Sequence, residues 1–182
     1  MRELKKVIRA FVGEFCELTE EEQKLLKAAA SVRENAQAPY SNYWVGVVIL
    51  SNRGSMHIGC NVERCSWTQT THAEQNAIDS MIAKLGPAKV EYVALVAASA
   101  NTKVELESQK IAKQLQSIEE VPVPCGHCLQ IIWENCFQDP SVKLIALAGN
   151  GEVVLTTIGD ALPMRFGPEQ LGVDYSKDIR KI

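Results

Sequence analysis

The chain has 182 residues, of which 46% are hydrophobic and 23% charged, and carries a formal net charge of −3. Those values suit one folded domain with its own core, exclude the disordered and membrane classes, and lack the positive field that gathers DNA or RNA. A small molecule is therefore the expected partner, with no nucleic acid and no membrane.

The longest apolar run, at residues 45–50, is far shorter than the roughly 20 residues that cross a bilayer. Residues 1–10 mix acids with bases and have neither an apolar centre nor a small-residue cleavage site, so a cytoplasmic protein is expected. Of the six cysteines, only Cys125 and Cys128 form a close C-x-x-C pair, which fits a reducing compartment better than a disulfide scaffold.

In chain order, Leu4, Val7, Ile8, Phe11 and Phe15 recur at helical spacing and predict an N-terminal helical extension over about residues 1–18. Thr19 followed by three glutamates opens a second helix whose Leu25, Leu26, Ala29 and Val32 face inward, stopped by Pro39. Residues 45–50 and 56–60 read as two strands joined by a turn at Ser51-Asn52-Arg53-Gly54. A helix over 73–85 closes at Gly86-Pro87, and residues 91–98 form a buried strand. Residues 99–121 read as an insertion carrying a surface helix, with Val104, Ile111 and Leu115 on its apolar side. A helix over 126–137, a strand over 142–148, a tight turn at Gly149-Asn150-Gly151 and a last strand over 152–157 complete the pattern. The expected fold is α/β, a single domain over 1–182 with helices on both faces of one mixed sheet.

Two motifs carry chemistry: Thr71-His72-Ala73-Glu74 and Pro124-Cys125-Gly126-His127-Cys128. Each begins a predicted helix. Residues two apart do not face each other along a helix side, so His72 and Glu74 can share a site only off the helix tip, whereas Cys125 and Cys128 share a face. Helix N-termini favour thiolate over thiol, and a His/Cys/Cys set leaves the fourth position of zinc open for water, the mark of a catalytic site. His127 points to another face and reads as packing or as support for the ligands. His57 reads as a strand residue, and Cys16, Cys60, Cys65 and Cys136 as small apolar residues.

His-x-Glu followed by Pro-Cys-x-x-Cys is the signature of zinc nucleobase deaminases. Around it the sequence resembles the cytidine deaminase family over most of its length. The shared segments are Pro39-Tyr40-Ser41-Asn42-Tyr43, Val45-Gly46, Gly59-Cys60-Asn61-Val62-Glu63, His72-Ala73-Glu74-Gln75, Pro124 to Cys128, and Phe166-Gly167-Pro168-Glu169-Gln170-Leu171.

The resemblance implies a three-layer α/β/α sandwich on a five-stranded sheet. It also implies one zinc ion per subunit on His72, Cys125 and Cys128, and hydrolytic deamination of cytidine and deoxycytidine to uridine and deoxyuridine in pyrimidine salvage. Zinc lowers the pKa of its water from 15.7 to about 7, so a zinc-bound hydroxide could attack C4 of the base near neutrality. Glu74 would take the water proton, protonate N3 and serve the departing ammonia. By the same resemblance Asn61 and Glu63 meet the ribose 3′-hydroxyl, the Ala73 backbone lies near the base carbonyl, and Tyr43, where the family usually has Phe, stacks on the base. Trp67 and Phe166 occupy aromatic positions that help close a neighbouring subunit's pocket.

Many short family members use three cysteines as ligands and have Arg after the Glu; here His72 and Gln75 stand instead. Two thiolates and a neutral imidazole already balance Zn²⁺, so the two changes agree with one another. His72 resembles the ligand of longer, dimeric members, whereas the chain's length resembles short, tetrameric ones, so a homo-oligomer is expected, a tetramer with a dimer as the alternative. Trp44 and the 99–121 insertion also depart from the pattern. The rival readings are a deaminase for another cytosine-containing nucleoside or nucleotide, and a zinc module without catalysis; retention of Glu74 speaks against the second.

Overall fold

The computed structural model describes residues 1–104, 106, 114–174 and 177. Phe11–Gly13 form a short strand, β1. Helix α1 (Glu20–Arg33) opens on a reciprocal cap: Thr19 accepts from the Glu22 N–H, and the Glu22 carboxylate accepts from the Thr19 N–H. Strands β2 (Tyr43–Ser51) and β3 (Met56–Cys60) form the expected hairpin, with Gly54 at φ +72° supplying the left-handed turn residue. Then come α2 (Ala73–Leu85), β4 (Val90–Ser99), α3 (Gly126–Asn135), β5 (Lys143–Leu147), β6 (Val153–Thr157) and the short α4 (Ile158–Ala161).

The strands make one mixed sheet in the order β1-β6-β5-β4-β2-β3, with β4 and β5 parallel and the other neighbours antiparallel. Period-two alternation divides the core. Val47, Ile49, Val93, Leu95, Leu144 and Ala146 point to the α2/α3 face, whereas Val48, Ala94, Val96, Ile145 and Leu147 point to the α1 face. Both faces are thus covered, which gives the three-layer α/β/α sandwich.

Two details differ from expectation. The sheet has six strands rather than five, and the N-terminal helix over 1–18 is absent: residues 1–10 take no regular structure, β1 pairs antiparallel with β6, and Phe15–Glu17 form one 3-10 turn. Leu4, Val7, Ile8 and Phe11, which recur at helical spacing, remain exposed, and Phe15 alone of that series is buried. An apolar stripe at helical spacing needs a surface to bury against, and none is offered here, whereas β6 presents an open edge that a backbone can satisfy with hydrogen bonds. In the insertion, Ile118–Glu120 form a 3-10 turn, Val104 and Leu106 pack on the α1-side core, and most of the expected surface helix, Ile111 included, lies outside the described residues.

Two glycines set how closely the helices approach. A Cβ on Gly46 would lie 2.1 Å from the Ala29 carbonyl of α1, and one on Gly59 would lie 2.4 Å from both the Ala73 carbonyl and the Ala77 nitrogen of α2. Gly59 therefore lets the first turn of α2 sit directly on β3.

Candidate metal centre and substrate cavity

α2 and α3 meet at their N-terminal ends. His72 and Cys125 are their N-cap residues, both extended (φ −73°, ψ 152° and φ −64°, ψ 163°), and neither side chain caps its own helix. Their side chains are free to project from the tips. Cys128, in the first turn of α3, is fully buried behind them, and Glu74, the second residue of α2, is also buried. The off-tip arrangement required by the His72/Glu74 spacing is thus the one observed.

The ligand atoms converge. His72 Nδ1 lies 3.5 Å from Cys125 Sγ and 3.4 Å from Cys128 Sγ. Among the described residues these three form the group whose donor atoms, all within 4.8 Å of one another, could hold a metal. A tetrahedral zinc with Zn–S of about 2.3 Å and Zn–N of about 2.0–2.1 Å needs N···S separations of about 3.5 Å, so the donor set fits without rearrangement. The electrostatics ask for a cation as well. Burial, then the adjacent Glu74 charge and Cys125, push the Cys128 thiol far above its ordinary range, and its Sγ sits 3.2 Å from Glu74 Oε2. A buried carboxylate pressed against a thiol becomes favourable once a divalent ion supplies the missing positive charge. His127 stays outside the donor group, its exposed ring edge-on to His72 with centroids 5.5 Å apart.

The centre opens on a cavity of about 640 Å³, within the size range of small-molecule sites. His72, Ala73, Glu74 and Cys125 border it on the metal side, Tyr43, Val45, Leu95 and Ala97 come from the sheet, and Asn61 and Glu63 from the segment after β3. Trp67, Thr70, Pro122, Val123 and Pro124 complete the lining.

The loop carrying Asn61 and Glu63 is tightly held. Val62 bridges to Gln37 and Thr71, and the Asn76 amide of α2 donates to the Cys60 carbonyl at 3.0 Å. Asn61 donates to the Tyr43 carbonyl and accepts from the Val45 N–H, both at 2.9 Å, so it clips the site loop to β2. Glu63 Oε2 accepts from the backbone N–H groups of Tyr40 (2.9 Å) and Ser41 (3.1 Å). Burial pushes the Glu63 carboxyl up, but the hydrogen bonds from Ser41 and Tyr40 outweigh it and hold it below its usual value, so it stays charged beside the cavity.

Of the residues expected at the site, Tyr43, Asn61, Glu63, Trp67, His72, Ala73, Glu74 and Cys125 border one cavity, with Cys128 buried directly behind it. Trp67 is 60% exposed and stacks edge-on against Tyr40. Phe166 is not brought to this cavity: it is 58% exposed, and only its carbonyl is engaged, accepting from the Gln130 side chain at 2.9 Å. Leu95, Ala97, Thr70 and Val123 were not singled out from the sequence. They are ordinary strand and loop residues whose role comes from where the fold puts them.

An open nitrogen-and-sulfur site with a buried carboxylate at its side, facing a cavity of nucleoside size, defines a hydrolytic metalloenzyme that activates water. Comparison with known proteins narrows the class. The family described as cytidine and deoxycytidylate deaminase zinc-binding region matches residues 19–143. The chain is 33% identical to a cytidine deaminase of Halalkalibacterium halodurans, over 82% of this chain and 96% of that protein, and 31% identical to one of Sporosarcina psychrophila, over 82% and 93%. The crystal structure of cytidine deaminase from Burkholderia pseudomallei superposes with a TM-score of 0.61 at 30% identity, covering 82% of this chain and all of the other. The chain belongs to the cytidine deaminase family of zinc-dependent hydrolytic enzymes.

Proposed function

We propose that this chain converts cytidine and deoxycytidine to uridine and deoxyuridine in pyrimidine salvage, with His72, Cys125 and Cys128 holding one zinc ion and Glu74 moving the protons. The observation that carries the reading is the buried Glu74 carboxylate, 3.2 Å from Cys128 at a three-donor centre facing a nucleoside-sized cavity. Bound zinc supplies Lewis acidity, which brings the pKa of a coordinated water close to neutral.

Glu74 borders the cavity beside the metal ligands, where it can take the proton of the attacking water, deliver it to N3 and serve the leaving amine in turn. Tyr43 provides a ring for the base, and the Ala73 backbone, at the first residue of α2, meets the base carbonyl. Asn61 and the charged Glu63 accept and orient the ribose hydroxyls. Asn61 is preorganised for this by its two bonds to β2, and Glu63 by its two bonds from residues 40 and 41.

Among the described residues bordering the cavity none is Lys or Arg, which favours a free nucleoside over a nucleotide or nucleic acid. The exposed Trp67 and Phe166 support a homo-oligomer, a tetramer rather than a dimer, in which each completes a neighbour's pocket. Six unpaired cysteines are consistent with work in the cytoplasm as a single-domain subunit.

The test follows the fall in cytidine absorbance with zinc-loaded protein and its Glu74→Gln variant. The variant should keep zinc and lose about 10²- to 10⁴-fold in turnover. Unchanged turnover removes Glu74 from the chemistry, and a zinc-loaded wild type inactive on cytidine leaves first a deaminase for another cytosine-containing nucleoside or nucleotide and then the non-catalytic reading.

A further inference from the structure

Residues 1–18 precede the segment that matches the family, which begins at Thr19. Ahead of the 3-10 turn at Phe15–Glu17, residues 6–13 form a strap on the β6 edge of the sheet, held at three places. Lys6 Nζ donates to the Gly159 carbonyl at the start of α4, Thr156 Oγ1 of β6 donates to the Arg9 carbonyl at 2.7 Å, and β1 pairs with β6 from Phe11↔Leu155 to Gly13↔Val153.

A small second cavity of about 120 Å³ is bordered by Ile8, Arg9 and Ala10 of the strap, by Ile118, Val121 and Val123 of the chain leading into α3, and by Thr156, Asp160 and Ala161 of β6 and α4. Val123 also borders the large cavity, as do its neighbours Pro122, Pro124 and Cys125. One thin layer of chain therefore separates the strap from the substrate cavity, and its last residue is a metal ligand. That layer has little regular structure of its own, a single 3-10 turn at Ile118–Glu120, so its position depends on what lies behind it.

We infer that residues 6–13 are a positioning element for the substrate cavity: they back the Pro122-Val123-Pro124 wall and so set the cavity's width next to Cys125. The inference rests on the deaminase reading for the meaning of the cavity, though not for the mechanical link between strap and wall. Of the apolar strap residues left exposed, Ile8 is the one that borders this cavity.

The experiment uses the full-length, zinc-loaded chain with two substitutions that leave β1 intact. Thr156→Val removes the hydrogen bond to Arg9 at nearly constant volume, and Ile8→Asp places a charge at the cavity that Val121 and Val123 also border. Hydrogen exchange of the amides of residues 118–125, zinc content, melting temperature, and KM and kcat for cytidine are measured together.

The expected result is faster exchange confined to residues 118–125 and a KM raised by at least about threefold, inside the ~100-fold that a 1 Å misplacement can cost. kcat stays within twofold and zinc remains stoichiometric. Unchanged exchange over 118–125 overturns the inference whatever the activity does. So does a global loss in which melting temperature, zinc and kcat fall together, since that is the signature of a merely structural strap. If the exchange result appears but the wild type does not deaminate cytidine, the coupling of strap to wall stands and the substrate reading fails.

Discussion

Gly59→Ala tests whether the metal centre depends on the close approach of α2 to β3. The added Cβ would lie 2.4 Å from the Ala73 carbonyl and the Ala77 nitrogen, about 1 Å short of ordinary van der Waals contact, which begins at 3.4 Å. Both obstacles are backbone, so no side chain can turn aside, and the first turn of α2 must move. That turn carries His72 and Glu74, whose partners Cys125 and Cys128 belong to α3 at 3.2–3.5 Å. A displacement of about 1 Å is large on that scale and should cost roughly 100-fold in turnover, with roughly 1–3 kcal/mol of overpacking in stability.

The comparison is Gly149→Ala, which adds the same atom where nothing lies within 4 Å. Melting temperature, zinc affinity by chelator competition, and turnover of cytidine are read for both variants. Loss of zinc affinity and turnover in Gly59→Ala alone supports the reasoning; a Gly59→Ala protein that binds zinc and turns over like the wild type refutes it.

Arg33 is fully buried at the end of α1, donates to the Ala98 (3.2 Å) and Ser99 (2.6 Å) carbonyls at the end of β4, and pairs with Glu34 at 2.5 Å. Arg33→Ala should cost roughly 2–3 kcal/mol in urea denaturation, because a fully buried guanidinium and its two charge-assisted hydrogen bonds to the end of β4 are lost; a cost under about 0.5 kcal/mol contradicts that role. Asn61→Ala removes both bonds that clip the site loop to β2, so it should lower the melting temperature and raise KM together, and a KM change with an unaltered melt would assign Asn61 to substrate alone. His57, buried on β3 with Nε2 2.9 Å from Ser55 Oγ, has its pKa lowered by burial and then by Lys84. A lowered histidine pKa means that the unfolded chain binds the extra proton first, so this contribution is complete above about pH 6.5 and is lost as pH falls through the folded-state value. The slope of melting temperature against pH over that interval should flatten in His57→Gln, and equal slopes would show that His57 does not govern it.

Much of the site was legible in the sequence because its chemistry is concentrated in two short motifs at helix starts. His72, Glu74, Cys125 and Cys128 have identities and spacings that few purposes other than an open zinc site require. Elements with strong local signals were also legible: the Thr19 cap of α1, the Gly54 and Gly151 turns with positive φ, and the Gly86 stop of α2. The residue types fix these conformations within one turn of chain, so no distant partner is needed.

What the tertiary structure decided was everything that depends on an available surface. The Leu4–Val7–Ile8–Phe11 spacing reads as a helix in isolation, yet the open edge of β6 makes the segment a strap and a sixth strand, because edge hydrogen bonds were on offer and an apolar groove was not. Only the crossover from β4 through the insertion to α3 brings Cys125 within 3.5 Å of His72, 53 residues away, and sets Leu95, Ala97 and Val123 around the same cavity. Sequence determines which atoms are chemically competent, since competence belongs to the residue. Their convergence belongs to the fold, since it is set by how sheet, helices and strap pack against one another.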